Sequence, residues 1–212
     1  MNEYTPFTKQ ALANLRNPDT LQWYIIPLLA IMFYVYASEV EKKNWNLIFA
    51  GLAFWGADWI NEIINSLVLH FSHYAPIWGT PGKSAFTVLI GLNVEIMFMF
   101  SIAGIVWSKM LPEDKNLKIA GINNRWFFII AGSVFSVFIE YLLNKADMLT
   151  WDYNWWNAKN PWLIIPFGYM TFFIISFRVH DMKSRKKQII TVSALWGIVI
   201  LSLIIFGSLG WI

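Results

Sequence analysis

Six long apolar runs, separated by short polar stretches, account for most of the 212 residues. They cover approximately 21–37, 45–70, 84–110, 125–144, 161–179 and 189–210. Each is near the ~20 residues a helix needs to cross about 30 Å of hydrocarbon. The pattern therefore predicts an all-α fold: a polytopic integral membrane helical bundle of about six transmembrane helices, with residues 21–212 as a single transmembrane domain. Residues 1–20 precede it as a polar or interfacial leader. There Glu3, Lys9, Arg16 and Asp19 cancel in charge, and the basic start and short apolar core of a cleavable signal are missing. No internal repeat is evident, which weighs against a transporter built from inverted repeats.

Within the apolar runs the polar residues are not scattered. Asp58, Asn61, Glu62 and Asn65 interrupt the second run, and at 100° per residue all four share an arc of about 100°. Asp58 falls near the bilayer centre and Glu62 one turn further out. In the third run Asn93 and Glu95 point to different faces, so only one of them can join that stripe. The fourth run repeats the striping with Ser133, Ser136, Glu140 and Asn144 at spacings of three and four. A carboxylate facing lipid costs several kcal/mol on insertion scales, so intramembrane acids default to a functional reading. The competing reading is that such groups hydrogen-bond across helices and hold the bundle together. That reading suits the serines and asparagines better than the closely spaced acids. No lysine or arginine lies at the same apparent depth to neutralise them.

The charge pattern then orients the chain. Eleven of the sixteen basic residues fall in the loops after runs one, three and five and the adjoining helix ends: Lys42, Lys43, Lys109, Lys115, Lys118, Arg125, Arg178, Lys183, Arg185, Lys186 and Lys187. Lys9, Arg16, Lys83, Lys145 and Lys159 fall on the other side. The excess of basic residues marks the cytoplasmic face, so the expectation is a plasma or inner membrane protein with both termini outside the cytoplasm. Composition agrees with a lipid environment: 57% of residues are hydrophobic and 14% charged, against roughly 25% charged in soluble domains. The net charge of +3 is explained by orientation, so nucleic acid is not an expected partner. With no cysteine, disulfides and thiol catalysis are excluded.

Most of the thirteen tryptophans fit aromatic belts at the two interfaces. Trp55 and Trp59 differ, because they flank Asp58 at about 60° and 100° and could wall a pocket, although helix packing also uses such rings. Residues 151–156, Trp-Asp-Tyr-Asn-Trp-Trp, join runs four and five and serve either as a lid carrying Trp151 and Tyr153 or as a headgroup anchor. Pro166 is placed to kink the fifth run or free a hydrogen bond beside the acids. His70 and His73 do not have a zinc spacing, and no nucleotide, phosphate or serine-nucleophile motif appears. Neither a metal nor a cofactor is implied. The Trp151–Tyr153 stretch followed by Pro166, with acids on other helices, resembles membrane carotenoid-modifying enzymes. The proline-plus-paired-acid motif of their cyclases is missing, and no activity is carried over.

These residues point first to a pocket for a small amphiphilic or lipid-like ligand in the outer half of the membrane, bordered by membrane lipid. Asp58, Glu62, Glu95 and Glu140 are its candidate acid/base groups. Trp55, Trp59, Asn61, Asn65, Asn144, Trp151 and Tyr153 are its candidate ligand contacts. Two neighbouring acids suit this chemistry because their environments can leave one protonated beside one ionised. A proton- or cation-linked carrier and a noncatalytic membrane subunit are the competing classes.

Overall fold

The computed structural model describes residues 3–212. Its helices are α1 (Pro6–Asn14), α2 (Ile25–Glu41), α3 (Trp45–Ser72), α4 (Val94–Lys109), α5 (Asn124–Lys145), α6 (Pro161–His180) and α7 (Arg185–Ser208). Two short antiparallel hairpins precede α4 and α5: β1 (Thr87–Leu89) pairs with β2 (Leu92–Asn93), and β3 (Lys118–Ile119) pairs with β4 (Ile122–Asn123). Four helices, α3, α5, α6 and α7, are long and apolar enough to cross a membrane. With 17 and 16 residues, α2 and α4 extend only about 24–26 Å at the helical rise, short of a ~30 Å core.

The third apolar run is therefore not one helix from residue 84, and the fold is not purely helical. Residues 87–93 form the first hairpin, and α4 starts only at Val94, where the Asn93 side chain accepts from the Ile96 N–H at 2.9 Å. The run reads as continuous because Leu89, Ile90 and Leu92 are fully buried in protein. Hydropathy does not distinguish that burial from burial in lipid. The first run is also displaced, with its helix beginning at Ile25 after a 3₁₀ turn at Pro18–Thr20.

Helix α3 is the central element and packs against α4, α6 and α7. Small residues make that proximity possible. A side chain at Gly51 would strike Ile105 of α4, one at Gly104 would strike Phe54 and the Ala50 carbonyl, and one at Gly56 would strike Leu195 of α7. Phe54 then meets Phe172 and Phe173 of α6 with ring centroids 5.6 and 5.1 Å apart. Large apolar side chains such as Ile198, Leu201 and Ile204 remain exposed on the outside of α7, as expected of a surface that meets acyl chains.

The two ends of the bundle differ. At the basic end, buried Glu39 contacts Lys109 and accepts from Asn44, Gln188 donates to Asn46 at 3.0 Å, and Arg125 makes a two-pronged contact to Asp181 at 2.9 and 3.0 Å. At the loop end, α1 lies on the connections: Gln10 and Asn14 donate to the Pro81 carbonyl, and Thr5 donates to Asp152 at 2.6 Å. One local device recurs at both ends. Ile90-Gly91-Leu92-Asn93 and Ala120-Gly121-Ile122-Asn123 each turn a hairpin and end on an asparagine that caps the following helix. With so few residues in common, the recurrence does not register as a sequence repeat.

Candidate functional site

A cavity of about 170 Å³ lies toward the loop end between α3, α4, α5 and α6. Three carboxylates reach it, Asp58 and Glu62 from α3 and Glu140 from α5. The helical spacing that places Asp58 and Glu62 on one stripe presents both to the same space. They are 2%, 3% and 6% exposed, so solvent does little to screen them. The walls are aromatic and apolar: Phe54 from α3, Phe100 and Trp107 from α4, Phe135 from α5, and Tyr169 and Phe172 from α6. Met99 and Phe135 line the cavity and are also exposed on the flank of the bundle. The cavity thus opens sideways between α4 and α5.

Each carboxylate is held differently. Glu62 Oε1 accepts from the Trp78 indole at 2.8 Å and the Asn65 amide sits beside the carboxylate, whereas Oε2 is buried without a hydrogen bond. No donor reaches Asp58 Oδ2, which is also buried. Glu140 Oε1 accepts from the Trp151 indole at 2.8 Å, and the Tyr169 phenol sits beside it. Asn65 fixes the loop that supplies Trp78 by accepting from the Ile77 N–H at 2.7 Å and donating to the Trp78 carbonyl at 2.7 Å. Trp78 in turn stacks on Trp156, with centroids 6.0 Å apart and planes inclined by 29°. Both rings line the loop end of the cavity.

Two backbone features make room. A Cβ at Gly91 would come within 2.5 Å of Asn65 Nδ2 and 2.6 Å of Glu62 Oε2 and the Trp78 ring, so only glycine lets the hairpin turn approach so closely. In α6, Ile164–Met170 forms a π-helical stretch around Pro166. Proline offers no N–H to the helix, and the widened turns carry Gly168 and Tyr169 into the cavity lining. Such insertions are frequent at functional sites.

The sequence-derived candidates divide accordingly. Asp58, Glu62 and Glu140 converge, and Asn65 and Trp151 bind to the site's own members. Glu95 does not line the cavity; it accepts from Tyr24 at 2.6 Å and the Ala85 N–H at 2.7 Å, tying α2 to the first hairpin. Trp55 packs on Trp196 of α7 with centroids 5.0 Å apart, and Trp59 joins the cluster containing Val199. Asn61, half-buried, also lies outside the lining. Asn144 donates to the Leu149 carbonyl and Tyr153 to the Ala75 carbonyl, so both brace loops. His70 stacks on Trp211, and His73 caps α3 in the left-handed conformation.

Sequence reasoning missed Trp78, Gly91 and Tyr169 and reached Trp156 only as part of the 151–156 lid. The signals available for the others were Pro166 and a glycine inside an apolar run. Among the described residues, no group of three histidine, cysteine, aspartate or glutamate side chains could hold a metal ion.

Comparison with other proteins extends the whole chain. A protein from Archaeoglobus fulgidus, described only as uncharacterized, is 49% identical over 209 residues, covering 98% of this chain and 99% of its own length. A second uncharacterized protein from the same organism is 43% identical over 53 residues, 24% of this chain and 95% of its own length. No solved structure matches. A family model matches residues 5–208, and the chain belongs to the group it describes, an uncharacterized membrane protein family.

Proposed function

We propose that this is a six-span membrane protein whose cavity takes an amphiphilic, lipid-like molecule from the bilayer through the gap between α4 and α5. Asp58 or Glu62 provides acid/base chemistry at the ligand's polar head. The observation that carries this reading is one cavity lined both by buried carboxylates without basic partners and by apolar residues, Met99 and Phe135, that are exposed on the flank of the bundle. A polar head and an apolar tail match those two parts of the lining. In this arrangement α2 and α4 cross as well, their length made up by the 3₁₀ turn before α2 and the hairpin before α4. The basic end faces the cytoplasm.

The two acids are suited to proton transfer because they lie one helical turn apart and face the same cavity, where a single ligand head can reach both. The test is ligand retention. Protein purified in native lipid is extracted and the copurifying molecules compared with those from Ala103→Trp, which fills the mouth, and from Asp58→Asn with Glu62→Gln. An amphiphile retained by the native protein and lost from both variants, at unchanged melting temperature, supports the proposal. Equal retention in all three overturns it and leaves the acids as helix-packing groups.

A further inference from the structure

The cavity lining leaves three buried polar atoms without partners: Asp58 Oδ2, Glu62 Oε2 and the indole Nε1 of Trp156, a residue only 5% exposed. Two are acceptors on acids and the third is a donor. No lysine, arginine or histidine lines the same space. The compensating charge must therefore come from protons or from whatever binds. Although Asp58, Glu62 and Glu140 all reach the cavity, among the described residues no group of three acids, histidines or cysteines is placed to hold a metal ion. Aromatic faces, by contrast, are abundant: Trp78, Trp156, Tyr169, Phe100 and Phe172 all border the cavity. An organic ammonium group is attracted by such faces and donates N–H bonds to carboxylates.

From this we infer that the ligand's head is a protonated amine with an adjacent oxygen acceptor, an amino-alcohol type of group on a hydrocarbon tail. This rests on the amphiphile-pocket reading and narrows it. The ammonium fills the vacant bonds of Asp58 Oδ2 and Glu62 Oε2, and the oxygen accepts from Trp156 Nε1. The tail leaves past Met99 and Phe135 into the acyl chains. Phosphate and carboxylate heads that carry no ammonium are disfavoured by the three acids, as like charges at short range in a poorly screened site repel. An amine of this kind reaches the cavity either free or as the headgroup of an aminophospholipid.

The experiment uses the full chain in nanodiscs of phosphatidylcholine and reads saturable quenching of tryptophan fluorescence by bromine-tailed probes. The probes are a long-chain 2-amino alcohol, the matched diol, the matched hydroxy acid and a bromine-tailed phosphatidylethanolamine. The amino alcohol is expected to bind at least about tenfold more tightly than the diol, in keeping with the strength of charge-assisted hydrogen bonds. That ratio should fall to near one in Asp58→Asn with Glu62→Gln. Equal affinity of amino alcohol and diol in the native protein overturns ammonium recognition and leaves the lipid pocket standing. Absence of saturable quenching by every probe overturns both. Tight binding by the phosphatidylethanolamine identifies a lipid headgroup as the source, and binding by the free amino alcohol alone identifies a long-chain base. The native-protein comparison decides the matter even if the double variant fails to fold.

Discussion

Single residues show how much of this site rests on close approach rather than on charge alone. Gly91 is the sharpest case, because a methyl group there would displace Asn65, Glu62 and Trp78 together. Overpacking of this kind costs about 1–3 kcal/mol. Gly91→Ala should therefore lower the melting temperature and abolish ligand retention. Gly197 in α7 is the internal control, since nothing lies within 4 Å of its would-be Cβ. Gly197→Ala should be neutral or stabilising by roughly 0.5–1 kcal/mol, the usual gain from replacing a helical glycine. Melting curves of both variants in the same lipid check this, and equal melting temperatures would contradict the close approach at Gly91. Asp58, Glu62 and Glu140 were legible in the sequence for a related reason, that carboxylates on a polar stripe of an apolar run have few bland explanations, whereas Glu95, read the same way, lies outside the cavity. Trp78 was not legible, and Trp156 only as part of a candidate lid, because a tryptophan in a loop beside a membrane reads as an interfacial anchor. Their role depends on stacking between residues 78 positions apart in the chain.

At the level of elements, the third and fifth apolar runs each depart from one regular helix, and the sequence revealed only the second of these departures. Pro166 announced a disturbance in α6, and the structure places a π-helical stretch there. The hairpin before α4 had no comparable marker, since its strands are as apolar as a membrane helix and are buried as fully. Removing the proline tests what the π turn contributes. An interior proline costs about 3 kcal/mol or more, so Pro166→Ala should raise the melting temperature. A helix that relaxes to ordinary pairing would also swing Tyr169 by about one residue's rotation, ~100°, and retention should fall at least about tenfold. A variant that is more stable yet retains ligand normally would separate the π turn from the site.

The basic end offers a second test at this scale. Asp181, at the C-terminus of α6, is subject to partial burial, which alone would raise its carboxyl. The hydrogen bonds from Arg125 and His180 and the charge of Lys115 outweigh burial and hold it below its ordinary value of 3.8. A carboxyl held low in the folded state contributes stability above its unfolded value, and that contribution is lost as pH falls through the folded value. The native protein should accordingly melt above Asp181→Asn at all pH values from neutral down to about pH 5, with the gap closing below pH 3.8. A gap that does not change with pH would point to packing rather than to the Arg125 pair.

Across the whole molecule, the arrangement of charge and the direction of the helices make one joint claim. Glu39 with Lys109, Arg125 with Asp181, and Arg185 over Trp45 gather ends of six helices at one pole. The carboxylate cavity, α1 and the connections at 73–86 and 146–160 gather at the other. If the basic pole is cytoplasmic, the cavity lies in the outer half of the bilayer, and anything it binds comes from the outer leaflet. Single cysteines can be introduced at Lys115, Lys186, Lys83 and Lys159, because the native chain has none. An impermeant maleimide added to sealed cells should label positions 83 and 159 and should reach 115 and 186 only after lysis. Labelling of position 186 in sealed cells would invert the molecule and move the source of its ligand to the inner leaflet. Labelling of 186 together with 83 would go further: it would put an even number of crossings between them, so that one of the three helices that separate them would fail to cross, α4 being the one short of a full span.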